Sequence, residues 1–380
     1  MNIALISRGI PNSFYPTHGI FELDQASALV KAGHDVKMLV VDMRSIRRWR
    51  HWGYSRVDRD GVDCHIISIP LGRVSHSLYC SIGAKALERL YNKAYKNGEK
   101  PDIIHAHFTR QGRMAANLAQ KHKLPLVITE HYSVMNQEHI QPDLLKMAKE
   151  AYSAADRVIA VSSALKNSIM EKTGIDSIVI PNIVDTDMFC PADKPKKNKE
   201  IFTFVSAAHF IKRKRMDLLV SAFAEFYKKY PGSRLVVFGG GQEEDKIRSL
   251  VSENKLEDVV ILRGLVGREE IAEEYKKSDA FALLSANETF GVVYIEALAA
   301  GMPVIATKCG GPDEFMCEDF GYYIDVDNKE QAVNAMIGLY ENYDNYSSEK
   351  ISETIRKMFS PEAISKQLTD IYKNVIERRL

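Results

Sequence analysis

Glu288 and Glu296 stand in the stretch SANETFGVVYIEALAAG, residues 285–301, with seven residues between them. Two nearby carboxylates could serve as general acid and base on one bond. An ionised carboxylate is also purely an acceptor, so each could instead take hydroxyls, from a sugar in one case and a ribose diol in the other. The plain alternative makes Glu288 a helix-start acid and Glu296 a solvated one. GVVYIEALAA reads as a helix stopped by Gly301 and Pro303, so Glu288 precedes it and Glu296 lies one to two turns inside. A glycosidase needs both carboxylates flanking one bond at about 5–10 Å, which this placement disfavours. Phe290 and Gly291 fall at the helix N-terminus, where free N–H groups favour an anion such as a phosphate.

Further candidates follow other strands. HFIKRKRMD, residues 209–217, sets Lys212, Arg213, Lys214 and Arg215 before a helix. A diphosphate there would use both the charge and the helix start, whereas a solvated charge run is the bland reading. IIHAHF carries His105 and His107 on one strand face, and His131, within VITEHYS, ends another strand. With no third ligand evident, structural roles for His105 and His107 stand ahead of a metal site. The Asp pairs 58/60, 185/187 and 325/327 read as turns. FGGG, ending at Gly241, is a tight turn; neither it nor RGIPNSFYPTHG has the GxGxxG spacing, which disfavours a nicotinamide domain. MRSIRRWRHWGYSR, residues 43–56, holds both tryptophans, with Arg47, Arg48 and Arg50 around Trp49 and Trp52. That mixture suits an anionic bilayer or an acidic acceptor, against a plain surface loop of snorkelling arginines.

These residues must be held by elements, and the elements alternate. NIALIS, DVKMLVV, DIIHAHF, LPLVITEH, RVIAVS and SIVIPN read as strands, with FELDQASALVKAGH and residues 111–123 as helices. CPADKPKKNKE, residues 190–200, reads as a linker or surface loop. IFTFVSA, MDLLVSAFAEFYKKY, RLVVFGGG and AFALLS then restart the rhythm. The prediction is an α/β chain of two Rossmann-like, doubly wound parallel-sheet domains facing a central cleft. Residues 1–185 form the first, 186–360 the second, and 361–380 a C-terminal helix packing back.

The bulk numbers agree with that class. The chain has 380 residues, 45% hydrophobic and 27% charged, and a net charge of +1, which gives nucleic acid binding no support. Five scattered cysteines without a CxxC fit a reducing cytosol. MNIALISRG reads as a first strand rather than a signal peptide, and no apolar stretch reaches the roughly 18 residues of a membrane span.

Together these motifs resemble glycosyltransferases of family 4, a retaining group with the GT-B fold. The resemblance covers nearly the whole chain and is strongest in SANETFGVVYIEALAAGMPVIATKCGGPDE, supported by GHDV, PDIIHAHF, PNIVDTDMF, FGGG and LRGLV. It implies that Glu288 contacts donor-sugar hydroxyls, Glu296 the ribose, and the Phe290 and Gly291 backbone the donor. Lys214 would neutralise the diphosphate with Arg213 or Arg215, His131 would lie near the donor sugar, Gly19 near phosphate and acceptor, and Leu265 and Val266 at the base. His18 departs from the family's paired glycines, His209 from its arginine, and Ile183 from its glycine. The resemblance further implies same-face attack without metal or cofactor, with the diphosphate as base for the acceptor hydroxyl. The expected partners are a nucleotide-sugar, most simply a UDP-sugar, and a lipid-linked or saccharide acceptor, at the cytoplasmic face of a membrane. A GT-B 2-epimerase and a non-catalytic sugar-nucleotide binder are the alternatives; the former needs no acceptor site.

Overall fold

NIALIS becomes the strand Asn2–Ser7, buried from Ile3 onward, as a continuous apolar run should be in a parallel sheet covered on both faces. A computed structural model describes residues 1–12, 15, 17–96, 98–137, 139–192 and 201–379. The chain divides into two units, Met1–Ile183 with Pro361–Leu380, and Val184–Ser360. From residue 193 on, the expected linker lies outside the described residues.

In the first unit the strands are β1 (Asn2–Ser7), β2 (Asp35–Arg44), β3 (Gly53–Arg59), β4 (Val62–Pro70), β5 (Ile103–His107), β6 (Leu126–Glu130), β7 (Arg157–Ala160) and β8 (Ile178–Val179). Their order is β3-β4-β2-β1-β5-β6-β7-β8, so the chain switches direction beside β1. The register pairs Leu5 with His105 and His105 with Val127, which brings the ends of β1, β5 and β6 side by side. One departure from the all-parallel expectation is β3, which runs antiparallel to β4 through a turn at Asp60 and Gly61. That hairpin and the helix His76–Ala94 escape the simple strand–helix rhythm.

The helix Pro361–Glu377 belongs to this unit and packs on the helix Ile20–Lys31. Its Ile364, Leu368 and Tyr372 enter the same core as Ile3, Leu5 and Leu29. The Tyr372 hydroxyl hydrogen-bonds His105 Nδ1 at 2.6 Å, and Arg379 pairs with Asp156 at 2.6 Å.

In the second unit β9 (Phe202–Ala207), β10 (Ser233–Phe238), β11 (Val260–Gly264), β12 (Ala280–Ala282), β13 (Val304–Thr307) and β14 (Gly321–Ile324) form a parallel sheet ordered β11-β10-β9-β12-β13-β14. Phe204, Phe223 and Phe226 pack edge to face or tilted in its core. Each such buried ring stabilises the unit by about 3–5 kcal/mol relative to alanine. The three aspartate pairs all sit at turns, as the hairpin at Asp60, the caps from Asp185 to the Asp187 and Met188 amides, and the positive φ of Asp327 indicate. No helix among the described residues is long and apolar enough to cross a membrane.

Candidate active site

β9 hands the chain to the basic loop. There Lys212–Lys214 form a short 3-10 turn and Arg215, at φ 50°, starts the helix Met216–Lys229. The loop is stapled to the segment before Glu288: the Ala286 amide donates to the Arg213 carbonyl at 2.7 Å, and Arg213 Nη1 donates to the Asn287 carbonyl at 3.0 Å. Lys214 Nζ donates to Glu288 Oε1 and forms an ion pair with it. Ser285 Oγ donates to the same oxygen at 2.7 Å, and Arg213 lies 3.6 Å from Oε2. The Glu288 amide donates to the Cys309 carbonyl at 3.2 Å, fixing the loop against the one after β13. Glu288 is only 5% exposed, so it is not a solvated helix-start acid. Burial pushes its pKa up, but Lys214 and Arg213 outweigh burial and hold it below the usual carboxylate range. Arg215 is directed elsewhere, to Asp217 and Asp327. Of the four basic residues, Lys214 and Arg213 are thus the ones gathered at Glu288. His209, beside them, has a lowered pKa from burial and from Lys214 and Arg213.

Gly291 caps the helix Val292–Ala299 at φ 92°, a left-handed conformation that costs an L side chain about 1–2 kcal/mol. A Cβ there would lie 2.6 Å from the Tyr294 ring. The Phe290 side chain is an anchor, buried against Phe315 and Phe359, so only its backbone can serve a ligand. Glu296 has a different partner from Glu288. It is buried within the helix and pairs with Arg268 Nη2 at 3.0 Å. Burial raises its pKa, and Arg268 offsets only part of that rise. Arg268 starts the helix Arg268–Tyr275 just past Leu265 and Val266; Leu265 is 66% exposed and Val266 half-buried. Sequence reading misses Arg268, whose only signal is its position soon after a strand end.

The ends of β1, β5 and β6 build a second cluster. Gly19, at φ 78°, caps the helix Ile20–Lys31, and a Cβ on it would lie 2.1 Å from the Gly9 carbonyl oxygen. His131 follows β6, bonds His107 through a 3.0 Å Nε2–Nδ1 contact and stacks on it. Phe108, at φ 70°, is strained at the turn after β5, and Arg8 lies 3.9 Å above its ring. Glu130 braces this turn. Its Oε1 accepts from the His131 and Tyr132 amides at 2.9 and 2.7 Å, while Thr109 and Tyr152 donate to Oε2. Glu130, Thr109 and Tyr152 carry no motif that single-sequence reading could pick out.

His105, His107 and His131 are neutral: burial lowers His105 and His131 to about 3 and His107 well below its ordinary value. An unfolded histidine binds its proton near 6.5, so between that value and the folded ones the unfolded state holds more protons. The stability that neutral burial supports is fully present above the unfolded value and lost as pH falls. We expect the first unit to lose up to about 4 kcal/mol per pH unit in acid, read as urea midpoints from about pH 7 to about pH 5. A flat profile over that range would contradict the buried trio.

The basic aromatic stretch is not one surface patch. Arg47, Arg48 and Trp49 are exposed, Trp49 by 61%. Arg50, expected with them, is 6% exposed: it pairs with buried Asp42 at 3.1 Å and stacks on half-buried Trp52 at 4.5 Å. Arg50 and Arg44 both pair with the buried Asp42 carboxylate, which breaking either contact would leave with less compensation. Arg50 and Trp52 therefore leave the patch. Among the described residues, no group of three or more His, Cys, Asp or Glu side chains converges as metal ligands would.

Residues 22–188 match the Glycosyltransferase Family 4 model and residues 191–358 the Glycosyl transferases group 1 model. Together these cover most of the chain, which belongs to this family of glycosyltransferases and has their GT-B fold of two parallel-sheet α/β domains. An N-acetyl-alpha-D-glucosaminyl L-malate synthase of Bacillus anthracis is 28% identical over 73% of this chain and 76% of its own. An alpha-monoglucosyldiacylglycerol synthase of Streptococcus pneumoniae is 26% identical over 92% of this chain and 80% of its own. Among solved structures, sucrose-phosphate synthase from Thermosynechococcus elongatus has a TM-score of 0.80 at 22% identity, covering 99% of each chain. Anabaena HepE in complex with UDP and glucose has a TM-score of 0.75 at 18% identity, covering 98% of this chain and 100% of that one.

Proposed function

We propose that this glycosyltransferase is retaining and metal-independent, and moves a hexosyl or N-acetylhexosaminyl group from a UDP-sugar to a hydroxyl of a lipid-linked or cell-surface glycan. The observation that carries the donor reading is the separation of the two glutamates, Glu288 buried on Lys214 and Arg213, Glu296 buried on Arg268. In this reading Glu288 accepts hydroxyls of the transferred sugar, and Lys214 with Arg213 neutralises the departing diphosphate. Glu296 accepts the ribose hydroxyls, the Phe290 and Gly291 amides meet the donor, and the backbone at Leu265 and Val266 meets the base. His131 in its neutral form hydrogen-bonds the reacting sugar, and Gly19 gives phosphate or acceptor a close approach. The acceptor hydroxyl attacks the anomeric carbon from the face the diphosphate leaves, and its proton passes to the diphosphate oxygen. UDP as the nucleotide of HepE, and diacylglycerol in the name of the Streptococcus relative, support the donor and the lipid side. The enzyme acts in the cytoplasm, peripherally at the inner membrane face.

A screen of UDP-, GDP- and ADP-sugars by thermal shift and slow hydrolysis tests this reading. At a hundredfold excess over Kd the right donor stabilises by about 2.7 kcal/mol, a rise of several degrees in Tm. The expected result is a shift with a UDP-sugar and release of UDP, with an α-linked product from an α-donor once acceptor is present. An epimerised UDP-sugar as the main product without acceptor would make the chain a 2-epimerase instead. No shift and no turnover with any nucleotide-sugar would end the transferase reading.

A further inference from the structure

The first unit holds a cavity of about 1140 Å³ whose lining includes Arg47, Arg48, Arg73, Arg110, His76 and Tyr132. It begins beside the strand-end cluster, because Tyr132 directly follows His131. No aspartate or glutamate lines it among the described residues. Arg44, also in the wall, pairs at 2.5 Å with Asp42, a carboxylate it shares with Arg50. Arg47, Arg48 and Arg73 form no ion pair among the described residues. Arg110 reaches His76 Nδ1 at 3.2 Å and lies 5.1 Å from the Tyr79 ring centroid, but its Nε is buried with no hydrogen-bond partner among the described residues.

Burying a guanidinium N–H without an acceptor is costly, and several unpaired guanidiniums around one concave wall repel each other. A ligand carrying more than one negative charge removes both penalties. Guanidinium forks meet phosphate and carboxylate oxygens alike in two parallel hydrogen bonds, but a single carboxylate fills one fork, whereas the oxygens of a phosphate or diphosphate can fill several. We infer that this cavity takes a phosphate or diphosphate group of the acceptor, so that the acceptor is a phosphate ester rather than a neutral glycan. The inference rests on the transferase reading and narrows its acceptor. Ile46 and Trp49, exposed by 70% and 61%, interleave in sequence with the cavity arginines and offer an apolar rim. Phosphate chemistry of this kind is shared by a lipid diphosphate and by a soluble sugar phosphate.

The test titrates inorganic diphosphate into the full chain by calorimetry, with UDP saturating so that the site around Lys214 is filled. A diphosphate site that remains under UDP, and weakens about tenfold to a hundredfold in Arg48→Gln/Arg73→Gln, supports the inference. Both positions are exposed, so folding is expected to survive; circular dichroism checks it, and Arg47→Gln serves if the pair misfolds. No such site, or one that the variants do not weaken, overturns it. Two kinetic arms name the source. Competition by soluble sugar phosphates but not by vesicles supports the inference with a soluble acceptor. Competition by vesicles carrying phosphatidic acid, but not by phosphatidylcholine ones, supports it with a lipid phosphate. Equal turnover of an acceptor and its dephosphorylated form overturns it. A wild-type chain that binds no nucleotide fails the transferase reading instead, and the diphosphate titration still reports on the cavity.

Discussion

Exchanging Glu288 for glutamine is expected to lower turnover by about two to three orders of magnitude, the usual effect of removing one preorganised polar group from a reacting centre. Nucleotide affinity is expected to change little. The amide of Glu288→Gln can keep the Ser285 hydrogen bond but not the charge that faces Lys214 and Arg213. The carboxylate is ionised in the resting protein because those two cations outweigh its burial, so the substitution removes a negative charge and not only an acceptor. Glu296→Gln should behave otherwise. Glu296 answers to Arg268, and its loss should weaken UDP binding about tenfold while saturated turnover falls less. Calorimetry with UDP, set beside kcat at saturating donor, separates the two. Equal losses of turnover with unchanged UDP affinity in both variants would restore the acid–base pair that their spacing first suggests.

Lys214→Met carries the second large effect, and it is a stability effect as well as a kinetic one. Lys214 and Glu288 are both largely buried, and breaking such a pair from one side costs about 3–5 kcal/mol because the remaining charge is stranded. Arg213, at 3.6 Å, offsets part of this, so a loss near the lower end is expected. Adding Glu288→Gln to Lys214→Met should recover most of the melting temperature and none of the turnover. The pH dependence gives an independent check. In the wild type the Glu288 pKa is depressed, so its stabilisation is present above the unfolded value and lost as pH falls through the folded one. With Lys214 gone, burial dominates and the pKa rises, so protonation relieves the variant. The Tm gap between variant and wild type should narrow towards about pH 5. A constant gap would mean that the lysine does not set the charge of Glu288.

Much of the frame is written in local patterns. The runs that become β1, β5, β6, β9 and β10 are short and mostly apolar, and those of β1, β5 and β9 are followed by amphipathic stretches that read as helices. Such signals are local, so one sequence suffices to read them. The hairpin of β3 and β4 escapes that reading because its outer strand is exposed and polar and carries no apolar alternation. AFALLS shortens to Ala280–Ala282 because its later residues turn towards the loop that carries Glu288. Arg50 leaves the expected patch because its partner Asp42 lies just past DVKMLVV, on the part of β2 that no local pattern marks as buried.

By itself, then, the sequence determined two α/β halves, a helix start at Gly291 and a dense basic loop after β9. Tertiary structure alone decided which charges meet. Lys214 and Glu288 are 74 residues apart, Arg268 and Glu296 are 28 apart, and His105 and Tyr372 are 267 apart. No periodicity reports such pairs, because they depend on strand order and register, which are settled by packing the whole sheet. Packing also sets the dielectric around each pair. That is why two glutamates with the same intrinsic acidity end with pKa values moved in opposite directions, Glu288 down and Glu296 up.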